Sequence, residues 1–345
     1  MNPTQLNNAF TLFLSLLVEA VPFLMLGVLF SGILQFFVDE RKLVRLMPRN
    51  AFLGALVGSC IGFLFPVCEC GNVPVARRLL MQGVPSSVAI GFLLAAPTIN
   101  PVVFWATWTA FRDQPELVFL RIGCSLFIAT FIGWVFSFQK DLRPMLQPGV
   151  ARVIPSKSGA KESGIGRGDK VGEVSLLQSG TYFLGQADQP IDVAEFQAAA
   201  LAATTADKPF AYKLNLMLES VIQETRELGG VLVLGSAIAA IIQVFVPREA
   251  VLALGQGPVT SILAMMLLAA IVSICSTVDA FFALSFSSLF TTGSLLAFLV
   301  FGPMIDLKGV GLMLTIFKPR AIFYLFTLAG LLTFLFALLL NLYGS

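Results

Sequence analysis

The stretch Pro66-Val67-Cys68-Glu69-Cys70-Gly71-Asn72 ends an apolar run and places two thiols and a carboxylate where a membrane helix would otherwise continue. An ionisable side chain in hydrocarbon is costly, so we interpret this stretch as part of a functional site. A second stretch of the same kind, Cys275-Ser276-Thr277-Val278-Asp279, ends another apolar run in the second half of the chain. Both stretches therefore predict a break in a buried helix.

The composition predicts an integral membrane protein. Only 12% of the 345 residues are charged and 57% are hydrophobic, and the mean hydropathy is +0.87. Soluble domains carry roughly 25% charged residues, so this chain has too few to cover a soluble surface. We expect an all-α polytopic membrane protein that contacts membrane lipid. A net charge of +2 gives no sign of nucleic-acid binding.

Several kinds of chemistry are excluded by what the sequence lacks. The chain has no histidine, which rules out His-ligated zinc or haem and Ser-His triads. It also has no Gly-x-x-x-x-Gly-Lys-Ser/Thr loop for ATP. We therefore expect no cofactor, assign no metal site or catalytic residue, and favour a transporter over an enzyme.

Six apolar runs are long enough for a membrane crossing, which requires roughly 20 residues. They are residues 10–38, 84–111, 117–138, 228–246, 293–317 and 321–342. Two shorter runs, 51–67 and 259–275, end at the two cysteine-containing breaks. We divide the chain into a first transmembrane repeat (1–138), a polar cytoplasmic linker (139–209) and a second transmembrane repeat (210–345).

The two halves repeat each other at polar, glycine and proline positions, which chance similarity between apolar segments does not explain. The matched pairs are Glu19 and Glu227, Gly27 and Gly235, Cys68 and Cys275, Asn72 and Asp279, Pro97 and Pro303, and Asn100 and Asp306. Basic residues after the first run place the following loop in the cytoplasm. Three crossings and one re-entrant hairpin per half then satisfy most loop charges, and an odd number of crossings makes the repeat inverted. Eight full transmembrane helices are the alternative.

Two of the long runs are interrupted by proline. The sequences are Pro97-Thr98-Ile99-Asn100-Pro101 and Gly302-Pro303-Met304-Ile305-Asp306. Proline removes a helical hydrogen bond and clashes with the preceding turn, so backbone groups are left to bind one another, water or a solute. Irregular backbone at membrane depth is tolerated where protein or water covers it. We predict a substrate pathway built from these two breaks and from the two cysteine-containing stretches.

The pathway residues suggest two kinds of chemistry. Thiolates suit soft ions such as Cu(I) and trivalent arsenic or antimony, and Cys68, Cys70 and Cys275 would meet if the two stretches converge. Buried carboxylates can titrate near neutral pH, which suits proton coupling in a chain without histidine. The candidates for proton coupling are Glu19, Glu69, Glu227, Asp279 and Asp306. We interpret Cys60 and Cys124 as packing residues, and Arg77 and Arg78 as cytoplasmic anchors rather than counter-ions.

Two motifs resemble a known family. They are the stretch from Pro66 to Arg78 and the stretch Phe92-Leu93-Leu94-Ala95-Ala96-Pro97-Thr98-Ile99-Asn100-Pro101. Both resemble the signature of a predicted bacterial permease family, formerly a domain of unknown function, that includes the organoarsenical efflux permeases. The resemblance implies a polytopic permease of the bacterial inner membrane and suggests trivalent organoarsenicals as solutes. It also implies a small thioredoxin-like partner, as some relatives have. The sequence does not decide whether the chain forms a homo-oligomer.

The sequence thus leads to a secondary-transporter-type permease that exports a small thiophilic or organic solute, with proton coupling. The alternative is a membrane thiol-disulfide oxidoreductase that uses the Cys68 and Cys70 pair. Against it, the chain has no Cys-x-x-Cys motif. An intramembrane aspartyl protease using Asp279 and Asp306 is disfavoured because the Gly-x-Gly-Asp string is absent.

Overall fold

The computed structural model describes residues 3–37, 47–48, 50–65, 68–139, 143–153, 210–245, 257–287 and 289–343. Within these ranges the protein is all-α, with no strand beyond one isolated bridge. In chain order, the helices are α1 Pro3–Phe37, α2 Ala51–Gly62, α3 Glu69–Met81, α4 Ser86–Ile99, α5 Pro101–Ala110, α6 Pro115–Ser137, α7 Pro148–Val153, α8 Phe210–Phe245, α9 Pro258–Val272, α10 Asp279–Leu284, α11 Thr292–Met304, α12 Leu307–Met313 and α13 Pro319–Tyr343.

Six segments in the described ranges are long and apolar enough to cross a membrane, as the sequence predicts. They are Leu6–Phe37, Ser86–Ala110, Pro115–Ser137, Tyr212–Val244, Thr292–Met313 and Pro319–Tyr343. Helices α2 and α9 have 12 and 15 residues. At 1.5 Å per residue they reach about 18 and 23 Å, short of a hydrocarbon core about 30 Å thick. The lengths therefore favour six crossings over eight.

Two of the six spans are broken in the middle, at the places where the prolines predict it. Helix α4 ends at Ile99 and α5 begins at Pro101, with Asn100 extended between them (φ −68°, ψ 158°). Helix α11 ends at Met304, and Asp306 lies extended before α12. Both spans lie at the centre of the bundle, because 83% of the most apolar segment of each is buried, compared with 28% for the first and last spans.

The order of elements is the same in both halves: a long helix, a short apolar helix, a short helix after a break, a broken span and a final span. Helices α2, α4 and α6 pack on one another in the first half, as do α9, α11 and α13 in the second. The halves join where α1 packs along α8, α3 against α12, and α10 against α5. The last two contacts bring the helix after each cysteine-containing break against the second part of the other half's broken span.

The outer faces of the long helices carry exposed large apolar side chains, which suits contact with lipid. Val18, Leu234 and Phe323 are 73%, 66% and 67% exposed. Such side chains would destabilise a protein surrounded by water, but in hydrocarbon they match their surroundings. The exposed apolar surface therefore agrees with the membrane class that the composition predicts.

Part of the segment that the sequence assigns to the polar linker is packed against the bundle. The N–H of Gln147 donates to the carbonyl of Ile316 at 2.8 Å, and the N–H of Lys318 donates to that of Met145 at 2.8 Å. Leu146 and Val150 are fully buried. The apolar side chains of Leu146 and Val150 therefore pack into the core of the bundle, within the segment where the sequence predicts a polar linker. Residues 140–142 and 154–209 lie outside the described ranges.

Candidate substrate site between the two halves

Helix α3 begins at the Cys-Glu-Cys stretch and is buried along its whole length. Cys68 is extended (φ −80°, ψ −177°), and its carbonyl accepts hydrogen bonds from the N–H groups of Gly71 and Asn72 at 3.1 and 3.2 Å. Glu69 then occupies the first turn, where the helix dipole favours negative charge. Pro66 and Val67 of the predicted motif lie outside the described residues.

The structure brings three thiols together. The sulfur atoms of Cys68 and Cys70 and a carboxylate oxygen of Glu69 all lie within 4.8 Å of one another, and all three residues are buried. The thiol of Cys68 also adjoins that of Cys275, from the second half. The two cysteine-containing stretches therefore lie next to each other in the structure. Cys60 is exposed and Cys124 half-buried, and neither belongs to this cluster.

Glu69 pairs with a lysine from the other half. Its Oε1 lies 3.8 Å from Nζ of Lys308, the second residue of α12, and both side chains are buried. Neither oxygen of Glu69 has a hydrogen-bond partner among the described residues. Lys308 also interacts electrostatically with Asp306, Cys70 and Cys275. A buried carboxylate with no hydrogen bond is costly, so Glu69 is in a state that a ligand or a proton would relieve.

Asp279 also pairs across the halves, but its hydrogen bonds are complete. Arg121 of α6 donates from Nη1 to Oδ1 at 3.1 Å and from Nη2 to Oδ2 at 2.6 Å. The same Nη1 donates to the hydroxyl of Thr107 at 2.8 Å. Such bidentate pairs are short and directional. Asp279, which the sequence nominates for proton coupling, is therefore engaged in a closed ion pair.

The far end of α3 forms two further pairs with α8. Arg77 lies 3.7 Å from Glu227, and Arg78 lies 3.8 Å from Glu224, whose carboxylate also accepts from Ser31. Both arginines are buried, so the counter-ion role that the sequence analysis weighted less is the one their contacts show. Every ion pair found among the described residues joins the first half to the second.

The two helix breaks are stabilised by capping. Oδ1 of Asn100 accepts from the N–H of Val103 at 2.9 Å, and Oδ1 of Asp306 accepts from that of Gly309 at 2.7 Å. Such caps satisfy N–H groups that have no partner within the helix. The other oxygen of Asp306 has no hydrogen-bond partner in the described part of the chain. Capping explains these residues locally, and it leaves Asp306 with one buried oxygen for other chemistry.

The remaining residues at the breaks divide into packed and exposed positions. Pro97 and Pro303 lie inside the helices that precede the breaks. Thr98 is buried and donates to the carbonyl of Ala95 at 2.9 Å. Pro101 opens α5 and is exposed. Among these, Thr98 already has a partner within its own helix.

Two residues beside the thiols have polar side-chain atoms that are free to bind a ligand. Asn72 and Ser276 are fully buried, and their side-chain polar atoms have no partner among the described residues. Thr277 is half-buried. Gly71 packs directly against Gly27 of α1, where a side chain on Gly27 would overlap the backbone. This close approach brings α1 against the start of α3.

Glu19 and Glu227 differ in their surroundings. Glu19 is half-buried, acts electrostatically on Asp279 and Cys275, and has one buried oxygen with no partner in the described residues. Glu227 lies at the other end of α3, paired with Arg77. The five predicted coupling residues therefore fall into two groups, and only Glu227 lies away from the thiols.

The sequence analysis missed Arg121, Thr107 and Glu224. Arg121 is a single base inside the apolar run 117–138 and is 1% exposed. An intramembrane charge is itself a sign of function, so the rule applied to Glu69 would have found it. Thr107 carries no such sign, because threonine is common in membrane helices.

Comparisons with known proteins agree on a permease. Residues 5–342 match the family ArsP_1, described as a predicted permease. UPF0718 protein YcgR of Bacillus subtilis is 39% identical over 323 residues, 94% of this chain and 92% of the relative. A putative two-component membrane permease complex subunit of Streptococcus mutans is 30% identical over 339 residues, 98% of this chain and 97% of the relative. No solved structure matches this chain.

A multi-pass bacterial membrane permease is the class that the six spans and these relatives define. The chain belongs to the predicted permease family ArsP_1. This confirms the resemblance and the location inferred from the sequence. The alternative of a thiol-disulfide oxidoreductase finds no support, because the family and the Streptococcus relative are described as permeases.

Proposed function

We propose that this chain is a secondary transporter that exports a small thiophilic or organic solute, such as a trivalent organoarsenical. The observation that carries the proposal is the buried cluster of Cys68, Glu69, Cys70 and Cys275, built from both halves. Three thiols suit a solute that exchanges oxygen ligands for sulfur. The unpaired polar atoms beside them supply contacts that a well-packed core would not leave open.

Movement between the halves would give the solute access to each side in turn. The repeated order of elements and the matched breaks support an inverted repeat with two re-entrant hairpins, in which α2–α3 and α9–α10 form the hairpins. Transporters of that kind bind solute near the middle of the membrane, where broken helices of two repeats meet. Since the cluster and the ion pairs lie at the junction of the halves, rocking would open and close this site.

Proton coupling is the second part of the proposal, and Glu69 and Asp306 are its best candidates. Each has a buried oxygen without a hydrogen-bond partner in the described residues. Either can therefore take up a proton without breaking a hydrogen bond, whereas Asp279 would lose the bonds from Arg121. Asp279, Glu19 and Glu227 are the weaker candidates.

The test is uptake of a trivalent aryl arsenical into proteoliposomes with and without an imposed pH gradient. We expect uptake above that of protein-free liposomes and faster uptake when the gradient is present. Uptake equal to that of protein-free liposomes would contradict solute transport. Identical uptake with and without the gradient would contradict proton coupling alone.

A partner chain is also part of the proposal. The Streptococcus mutans relative is named as a subunit of a two-component complex, and we propose a small thioredoxin-like partner or a second copy of this chain. Native mass spectrometry of the protein purified together with the products of neighbouring genes distinguishes a monomer, a homo-oligomer and a complex with a small partner. A chain that stays monomeric under these conditions would contradict both assemblies.

A further inference from the structure

We propose that the cluster of Cys68, Glu69 and Cys70 is a binding site for a soft divalent cation, in which Lys308 holds the Glu69 carboxylate until the cation replaces it. The inference rests on the proposed function only in placing ligand binding at this cluster. It adds a class of ligand and assigns Lys308 as a positioning residue.

The donor set points to a soft cation. Two sulfur atoms and one carboxylate oxygen lie within 4.8 Å of one another, all from buried residues, and the thiol of Cys275 adjoins that of Cys68. Zinc-like ions take cysteine sulfur and carboxylate oxygen together, usually in sets of four. Hard cations such as Mg²⁺ and Ca²⁺ require mostly oxygen ligands, which two thiols would displace.

The geometry of the Glu69–Lys308 ion pair would allow a cation to replace Lys308 as the partner of the Glu69 carboxylate. Its separation of 3.8 Å is about 1 Å longer than a charge-assisted hydrogen bond. Both oxygens of Glu69 lack a hydrogen-bond partner in the described ranges, as does the buried side chain of Asn72 one helical turn further on. The Arg121–Asp279 pair, by contrast, has both carboxylate oxygens bonded. The two buried pairs thus differ in how readily they open.

Lys308 has a second partner within reach. Asp306 interacts electrostatically with Lys308, and its Oδ2 is buried without a hydrogen-bond partner among the described residues. When a cation binds Glu69, the ammonium group can turn to Asp306 and stay paired. The charges also balance, because one divalent cation replaces the two protons that leave the thiols of Cys68 and Cys70 for water.

The test is a Cd²⁺ titration of the purified full-length protein with reduced thiols, followed by the ultraviolet charge-transfer absorption of cadmium thiolate. We expect saturable binding in the wild type and in Cys60→Ser, and loss of the band in Cys68→Ser and Cys70→Ser. Lys308→Gln should bind Cd²⁺ about tenfold more tightly, the change that about 1.4 kcal/mol of lost competition produces.

A double-mutant cycle separates competition from a general structural effect. If Lys308 acts through Glu69, Lys308→Gln should not tighten Cd²⁺ binding in a Glu69→Gln background. Lys308→Arg keeps the charge and can hold the Glu69 carboxylate bidentately, so it should weaken Cd²⁺ binding. This variant also tests the competition if Lys308→Gln fails to fold.

Three results would overturn the inference: no cysteine-dependent band, unchanged or weaker binding in Lys308→Gln, or the same tightening in both backgrounds. The outcome is separable from that of the transport assay. Cd²⁺ binding in a protein that moves no solute would leave this inference standing and contradict the proposed function. Solute transport by a protein that shows no Cd²⁺ band would contradict this inference and leave the proposed function standing.

Discussion

Arg121 holds Asp279 through two hydrogen bonds of 3.1 and 2.6 Å between residues 158 positions apart in the sequence. Both side chains are buried, and they join α6 of the first half to the start of α10 in the second. Glu69 and Lys308 join the halves in the opposite sense, with the acid in the first half and the base in the second. In the Arg121–Asp279 pair both carboxylate oxygens accept hydrogen bonds, whereas in the Glu69–Lys308 pair neither does so among the described residues. We infer that the first pair holds the two halves together and that the second responds to a ligand.

Removing one partner of the closed pair should destabilise the protein strongly. Arg121→Met leaves the Asp279 carboxylate buried without its base, and we expect a loss of about 3–5 kcal/mol in the free energy of unfolding. The double variant Arg121→Met/Asp279→Leu should recover part of this loss, because no buried charge remains. Denaturation in mixed micelles measures both. The exposed Arg112→Met is the control, with a change within about 0.5 kcal/mol; strictly additive losses would contradict the pairing.

The contact between α1 and α3 should tolerate no side chain at Gly27. In Gly27→Ala the new Cβ would overlap the backbone of Gly71, beside the thiols, so the helices must separate. We expect a loss of about 1–3 kcal/mol in unfolding free energy, as for other overpacked sites, together with slower solute uptake. Gly123→Ala is the matched control, since no atom lies within 4 Å of its Cβ. Equal stability of both variants would argue against the close approach.

Substitutions at Asp306 should separate capping from charge. Asparagine caps a helix about as well as aspartate, so Asp306→Asn should keep the bond to Gly309 and nearly all the stability. It removes the charge, and uptake should then no longer depend on the pH gradient. Asn100→Ala should lose about 1 kcal/mol with its cap but keep that dependence. A gradient response retained in Asp306→Asn would exclude Asp306 from proton handling.

The architecture was predictable from the sequence because its signals are local. Six crossings follow from apolar length, and the breaks after Pro97 and Pro303 follow from the missing hydrogen bond of proline. The repeat at Cys68 and Cys275 led to the hypothesis that the two thiols lie close together, and in the structure they adjoin each other. Each of these inferences needs only one short segment of the sequence or the comparison of two such segments.

The pairing of charges was not predictable in the same way. The sequence favours Arg77 and Arg78 as cytoplasmic anchors, and only the ion pairs in the structure show that Glu227 and Glu224 of α8 lie beside them. The partner of Asp279 lies in another helix of the other half, so no window contains both. Sequence patterns locate buried charges, but which charges pair depends on how the helices pack.

The measurement that tests the central claim most directly is uptake of a trivalent aryl arsenical by proteoliposomes containing wild type, Cys68→Ser/Cys70→Ser or Cys60→Ser/Cys124→Ser. All three proteins are first checked for equal incorporation and thermal stability. If solute binds in the cluster between the halves, the first double variant should fall to the rate of protein-free liposomes and the second should match wild type. Wild-type uptake by Cys68→Ser/Cys70→Ser would contradict the account.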